Sequence, residues 1–408
     1  MNISTYMRSP GSRSRSSRLR WQADLGLPGG LISLSLPVLG LLGGLVIAGA
    51  VYAQGVTKTS ILLGQSAPLS GSNREFGVDI RDGALAYFSK LNAAGGVHSR
   101  KIELVTLDDA NDVARAGENT RVLTEEREVF ALFGYASATL SRPALPYVEK
   151  QHVPFLAPFT GADPMRVYNR YVYNMRASYA DELEKIVDYF APLSITRFAI
   201  VHYDDAVGRE NFAAVDRALK KRNLAAVSVA AFKDRAKPDI EAGMNAVLKG
   251  NPDVVIFTTL YKATADSIRF ARKKGSAAFM VSNSFPGASQ LAKELAGDGV
   301  GLVIATVAPP FARVALPVVA EYRAAMEKHA GRKDFSFTSV EAYISAKVVA
   351  EALRRAGPKL TREDFMQALN GMSRFDAGGY AVGFAPDNHN GSSFVELTII
   401  GKDLQFKH

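Results

Sequence analysis

The chain has 408 residues, 47% hydrophobic and 22% charged, enough for a large core and more than one lobe. It contains no cysteine, which excludes disulfides, thiol catalysis, cysteine-based metal centres and a lipid anchor on an N-terminal cysteine. Of the formal charge of +9, five arginines against one aspartate before residue 54 supply four, so the remainder carries only +5. Clusters such as Arg269, Arg272, Lys273 and Lys274 therefore read as solvated helix faces rather than a nucleic-acid surface.

Residues 1–53 read as an export signal. Arg8, Arg13, Arg15, Arg18 and Arg20 precede an apolar run over residues 31–52, broken by Pro37. Val51-Tyr52-Ala53 then offers a small-residue cleavage pattern with Gln54 as the new N-terminus. The run is also near the length that spans a bilayer, so an uncleaved membrane tether is the alternative. The sole tryptophan, Trp21, lies in this leader, so the processed protein is expected to lack indole fluorescence.

From residue 58 strands and helices alternate. Strands are predicted at 60–66, 101–107, 129–134, 154–157, 171–175, 197–203, 226–232, 253–259, 279–282 and 300–307, with short ones at 380–384 and 394–400. Helices are predicted at 77–93, 112–126, 139–150, 179–191, 208–222, 239–249, 262–274, 287–296, 316–330, 338–356 and 361–370. The first helix repeats apolar residues at Ile80, Ala84, Tyr87, Phe88 and Leu91, the spacing of one buried stripe. Repeated strand–helix units imply an α/β fold of parallel sheets covered on both faces. Ligands in such sheets bind outside the carboxyl ends of the strands. The loop Pro68-Leu69-Ser70-Gly71-Ser72 sits at such an end and opens a helix, where N–H groups and hydroxyls favour an anion. It lacks the lysine and glycine spacing of a triphosphate loop, so a small carboxylate suits it better.

Catalytic patterns are missing from the sequence. Ser137, in Gly134-Tyr135-Ala136-Ser137-Ala138, does not have the spacing of a nucleophile elbow. The six histidines, His98, His152, His202, His329, His389 and His408, show no metal-ligand spacing, and neither metal nor cofactor is expected. Gly297-Asp298-Gly299-Val300-Gly301 precedes a strand instead of opening a helix and reads as a turn. Asp108-Asp109 and Asp204-Asp205 follow strands and precede helices, where helix capping is the expected role.

The order and spacing of many short motifs go further. Pro68-Leu69-Ser70-Gly71, Phe76-Gly77, Gly83, Asn92 with Gly95-Gly96-Val97, Arg100-Lys101-Ile102 and Asp108-Asp109 are followed by Phe130-Ala131-Leu132-Phe133-Gly134 and Val153-Pro154-Phe155-Leu156-Ala157-Pro158. This pattern, over residues 58–400, resembles the Leu/Ile/Val-binding proteins, the type I periplasmic substrate-binding components of ABC transporters. The resemblance implies two doubly wound parallel-sheet lobes, a hinge of three chain crossings and a ligand cleft between the lobes. The crossings are expected near residues 176–179, 306–310 and 375–380. The N-terminal lobe would then comprise 54–177 plus 308–377, and the C-terminal lobe 178–307 plus 378–408. The implied partners are a small amino acid, carboxylate or amide ligand and the permease subunits of a transporter. The protein would act as a monomer in the periplasm and not as an enzyme.

By the same resemblance, Phe76, Ala138, Thr139 and Thr160 should face the ligand from the first lobe, with Tyr179 at the first crossing. Asp205, Tyr261, Asn283 and Ser284 should face it from the second. Helix capping is the alternative role for Ser137 and Thr139, and core packing for Tyr179. Two departures bear on the ligand. Relatives that bind branched-chain amino acids place an acidic residue near Asn283, opposite the ammonium, and an aromatic where Val207 stands. A buried ammonium without a carboxylate is costly. Either Asp205 or Asp181 replaces the missing acid, or the ligand is not a zwitterionic amino acid. Two other classes share this scaffold: a hydrolase-like enzyme with a triad hidden in space, and the sensing domain of a receptor. The absence of a membrane span and signalling module before His408 argues against the last.

Overall fold

The computed structural model describes residues 53–71 and 73–407; the segment read as an export signal lies outside them, as do Ser72 and His408. The first sheet is built from β1 (Ser60–Ala67), β2 (Lys101–Asp108), β3 (Ala131–Phe133), β4 (Phe155–Leu156) and β5 (Val172–Tyr173). Its strands run in the order β2-β1-β3-β4-β5, all parallel. Between them lie α1 (Arg74–Ala93), α2 (Val113–Arg121), α3 (Ser137–Ser141) and α4 (Leu145–Gln151). The chain then crosses to a second unit: α5 (Tyr179–Phe190), β6 (Phe198–Tyr203), α6 (Ala206–Lys220), β7 (Ala226–Phe232), α7 (Ile240–Lys249), β8 (Val254–Phe257), α8 (Tyr261–Lys273), β9 (Phe279–Ser282), α9 (Ala288–Leu295) and β10 (Val303–Thr306). It returns through α10 (Pro317–Ala325), α11 (Phe337–Ala356), α12 (Arg362–Asn370) and the hairpin β11 (Phe375–Asp376) and β12 (Ala381–Val382). It ends in β13 (Glu396–Ile400) and β14 (Phe406–Lys407). The second sheet has the order β14-β13-β10-β9-β8-β6-β7, with β13 and β14 antiparallel and the rest parallel. The α/β class and the two parallel-sheet lobes are thus as the sequence implied.

Each sheet reverses its strand order once, at β1/β3 in the first lobe and at β6/β8 in the second. At such a reversal the loops leaving adjacent strands diverge to opposite faces and open a crevice at the carboxyl ends. The central strands β6 and β8 are fully buried, in keeping with their continuous apolar runs. Helix starts are specified locally. Ser178 and Ser336 close capping boxes on α5 and α11, and Asp205, Asp239 and Thr361 cap α6, α7 and α12. The predicted single helix at 139–150 is divided by Pro143 and Pro146 into two short helices and a 3-10 turn.

Three expectations are corrected. In the loop after β1, residues 69 and 70 do not hold their donors open for a ligand. Leu69 N and Ser70 N donate to Asp108 Oδ1 at 2.8 and 3.2 Å, and Ser70 Oγ donates to Asp108 Oδ2 at 2.5 Å. The anion this loop receives is the protein's own carboxylate. Partial burial works to raise the Asp108 pKa, but these donors and Ala110 N outweigh it and hold the carboxyl down to about 2. Asp109, fully buried, accepts from Ser66 Oγ and Asn111 N. The first aspartate pair therefore pins loops, and Asp112 is the residue that caps α2.

The third crossing also lies elsewhere. Tyr380, Val382 and Phe384 are buried in the first lobe's core, and Tyr380 Oη donates to Val307 O at 3.0 Å. Gly378 and Gly379, at φ 107° and 91°, form the turn of the β11–β12 hairpin, with both N–H groups donating to Asp376 Oδ1. The chain leaves the first lobe between Phe394, packed on the first core, and Val395, packed on the second. Residues 378–394 thus belong with the first lobe, and Gly378-Gly379, inside the expected crossing, form a tight turn.

In the first lobe α1 lies against α11, and the closest approach is at Gly83. A Cβ added there would meet Ser339 O at 2.3 Å, a backbone atom that cannot swing aside. Gly83→Ala should force the two helices apart and lower stability by about 1–3 kcal/mol. Chemical denaturation reads this directly, and an unchanged midpoint would show that the helices do not meet so closely.

Candidate functional site

The crevices of the two sheets face each other and enclose a cavity of about 210 Å3. From the first lobe it is walled by Asn73, Asn111, Ala138, Thr139 and Thr160, among others; Tyr179, Val207, Arg235, Leu260 and Phe285 face them. Apart from Tyr179, which opens α5 at the first crossing, these residues follow β1, β2, β3 and β4 in the first lobe and β6, β7, β8 and β9 in the second. A second cavity of about 310 Å3, bounded by Phe76, Tyr261, Gln290 and Lys293, shares Asn73 with the first. A crevice of about 20 Å3 against Arg176, Ser284 and Glu341 shares Phe76 with the second. The three are compartments of one cleft. A larger hollow, about 600 Å3, is bordered by Asp253 and Phe279 at the amino ends of β8 and β9. That is the wrong end of a parallel sheet for a ligand site, and the hollow takes no part here.

Of the expected ligand-facing residues, Ala138, Thr139, Thr160 and Tyr179 all line this cavity. Thr160 is buried, accepts from Ala162 N at 3.2 Å and lies beside the Tyr179 phenol. Tyr179 packs edge-on against Phe285, ring centroids 5.6 Å apart. Phe76 and Tyr261 line the neighbouring compartment, with Phe76 edge-on to Phe159 at 6.4 Å. Asp205 is placed differently. It caps α6 through Gly208 N and accepts from Arg235 Nε at 2.6 Å, so that Arg235, not Asp205, faces the cavity. Burial works to raise the Asp205 pKa, and the hydrogen bonds from Arg235 and Gly208 hold it below the ordinary value. Asn283 is fully buried, accepts from Phe285 N, and is not among the residues lining these compartments.

Ser284 belongs to a different cluster, one the sequence reading missed. Arg176, at the first crossing and almost wholly buried, donates to Glu182 Oε1 at 3.1 Å and to Ser284 Oγ. Its other terminal nitrogen lies 3.6 Å from Glu341 Oε2 on α11. Glu182 accepts in addition from Ser284 N at 2.6 Å and Ser284 Oγ at 2.7 Å. One guanidinium thus joins a carboxylate of the first lobe to one of the second. Glu182 and Glu341 lie on helices whose patterns read as ordinary, and nothing local marks them as partners.

The backbone around the cavity is unusual. Asn73, Asn111 and Ser137, all on the cavity wall, have φ of 62°, 63° and 60°. Asparagine tolerates this region, whereas serine is strained there, and such strain concentrates at functional sites. Ser137 is held by Phe159 O, which accepts from its N–H at 3.2 Å. Ala136 occupies the N-cap position of α3, and Ser137, one residue on, accepts from Leu140 N at 3.4 Å, a capping contact of the kind expected of it.

The family model of periplasmic binding proteins matches residues 60–400. An amino acid binding protein from Pseudomonas aeruginosa is 24% identical over 293 residues, covering 70% of this chain and 78% of its own length. A solved structure of "a possible leucine/isoleucine/valine-binding protein" from Rhodopirellula baltica SH 1 superimposes with a TM-score of 0.80 at 30% identity, covering 87% of this chain and 98% of that one. A substrate-binding periplasmic protein from Ralstonia solanacearum gives 0.77 at 29% identity, over 85% and 99%.

The Glu341 cluster is testable by pH. Burial, reinforced by Glu182 and only partly opposed by Arg176, pushes the Glu341 carboxyl from 4.5 up to about 7. Between those values the folded state binds a proton that the unfolded state has released. The associated stability is fully present below about pH 4.5 and is lost as pH rises through 7. Glu341→Gln removes this loss. Its stability relative to the parent should rise between pH 5 and pH 8 by on the order of 2–3 kcal/mol. Parallel unfolding curves for parent and variant across that range would rule Glu341 out.

Proposed function

Since this chain belongs to the periplasmic binding protein family, we propose that it is the extracytoplasmic solute-binding component of an ABC importer. It holds a small amino acid-like or carboxylate solute between its lobes and hands it to a membrane permease. The observation that carries this reading is the cavity at the strand-order reversals of both sheets, walled by residues of both lobes. Residues 1–53 act as the export signal, and the processed protein works in the periplasm. Among the described residues no helix is long and apolar enough to cross a membrane.

The solute first meets the hydroxyls and backbone of the Thr139 and Thr160 loops. The second lobe then folds down with Tyr179, Arg235 and Phe285. Closure removes water from the polar contacts and strengthens them. Moving such a hinge from mostly open to mostly closed needs about 5 kcal/mol of differential affinity. Lys293 on α9 and Glu75 on α1, 3.2 Å apart across the cleft mouth, are exposed and add little of it. An enzyme on this scaffold is the weaker reading. The residues lining the 210 Å3 cavity include neither histidine nor carboxylate to act as a base.

A thermal-shift screen over aliphatic amino acids, amides and carboxylates should find compounds that raise Tm, because a ligand selective for the folded state stabilises it in proportion to occupancy. Thr160→Ala should weaken binding of those compounds roughly tenfold, as for a lost hydrogen bond, with the ligand-free Tm little changed. Full affinity in the variant would remove this loop from the site. Turnover of a bound compound by the purified protein would replace the transport reading with the enzymatic one.

A further inference from the structure

Arg235 is the single charged residue lining the 210 Å3 cavity. Its Nε is engaged by Asp205, and among the described residues its two terminal nitrogens have no hydrogen-bond partner. The guanidinium is held 4.7 Å from the centroid of the Tyr203 ring and 5.8 Å from that of Phe285. Stacked in this way, with one edge fixed by a carboxylate, it presents a flat pair of donors to the cavity at little further entropic cost.

The acids that could receive an ammonium are occupied: in the neighbouring compartment Glu75 pairs with Lys293 and Glu294 with Arg269. Asp205 is paired with Arg235, and Asp181 closes the capping box of α5 with Ser178. Glu182 and Glu341 share Arg176, and only Glu341 reaches a compartment of the cleft, one of about 20 Å3, room for little more than a water molecule. Asn283, where relatives place an acid, is buried with its Nδ2 unpartnered and is not on the cavity wall. The remaining lining is apolar or neutral, with Leu140, Val207, Leu260 and Phe285 forming an apolar bed.

We propose that the cavity takes a small monocarboxylate that lacks an amino group, its carboxylate on the terminal nitrogens of Arg235 and its apolar body against Phe285, Leu260 and Val207. The assignment rests on the solute-binding reading above and selects one ligand class within it. A zwitterion entering this cavity would leave its ammonium without a carboxylate, whereas a plain carboxylate meets the open edge of Arg235, 38% exposed, whose partner Asp205 does not line the cavity.

Matched pairs test this by titration calorimetry on the purified protein: leucine against 4-methylpentanoate, and phenylalanine against 3-phenylpropanoate. Within each pair the apolar body is the same and only the amine differs. At least one amine-free member should bind 100-fold or more tighter than its amino acid, and which pair responds tells an aliphatic from an aromatic body. Arg235→Gln should weaken that member tenfold or more and the uncharged 4-methylpentanamide or 3-phenylpropanamide by a clearly smaller factor, with partial rescue by Arg235→Lys. An amino acid binding as tightly as its amine-free partner overturns the ligand class while leaving the solute-binding reading intact. Equal carboxylate affinity in parent and Arg235→Gln overturns the role of Arg235. Silence from every carboxylate, amide and amino acid at millimolar concentration overturns both.

Discussion

A single buried guanidinium organises the junction of this protein. Arg176 lies on the first crossing, between a carboxylate of the second lobe, Glu182, and one of the first, Glu341. Taking three charges out of water is costly, and their mutual attraction offsets that cost only while the geometry is kept. Removing the guanidinium from such a cluster typically costs about 3–5 kcal/mol, because the carboxylates stay buried and uncompensated. The arrangement therefore specifies how the lobes meet more than it stabilises either one. Around it the other crossings are tied by different means. Tyr380 Oη donates to Val307 O on the second, and Phe311, Phe337 and Phe406 interlock with centroids 4.9–5.8 Å apart.

The cleft follows from sheet topology. Both lobes reverse strand order beside their first strand, so both open a crevice at the carboxyl ends of their strands, and the junction turns those crevices towards each other. Side chains of opposite character then meet across the gap. The first lobe contributes hydroxyls, amides and a strained Ser137; the second contributes aromatic and aliphatic surface with one stacked arginine.

Much of this was legible in the order of residues. Strand and helix positions follow from apolar periodicity and local caps, and most were placed within a few residues because those signals are local. The misreadings share a cause. The loop after β1 has the composition of an anion site, and it does bind an anion, but the anion is Asp108, about forty residues further along the chain. Gly378-Gly379 has the composition of a hinge and forms a hairpin turn, because the burial of Tyr380, Val382 and Phe384 is decided by the rest of the first lobe. Asp205 looked like a ligand residue and is one step removed, paired with Arg235 from the end of β7.

The sequence by itself determined the alternation of elements, the parallel character of the sheets and the loops at their carboxyl ends, since periodicity, caps and turn residues act over a few positions; the division into two lobes was implied by the resemblance alone. Only the tertiary structure decided which charges are free to meet a solute. Arg176, Glu182 and Glu341 consume one another, Asp108 is consumed by its own loop, and Arg235 keeps one edge open to the cavity. Charge pairing depends on distance in space, which links residues up to 165 positions apart in that cluster and leaves no periodic trace along the chain.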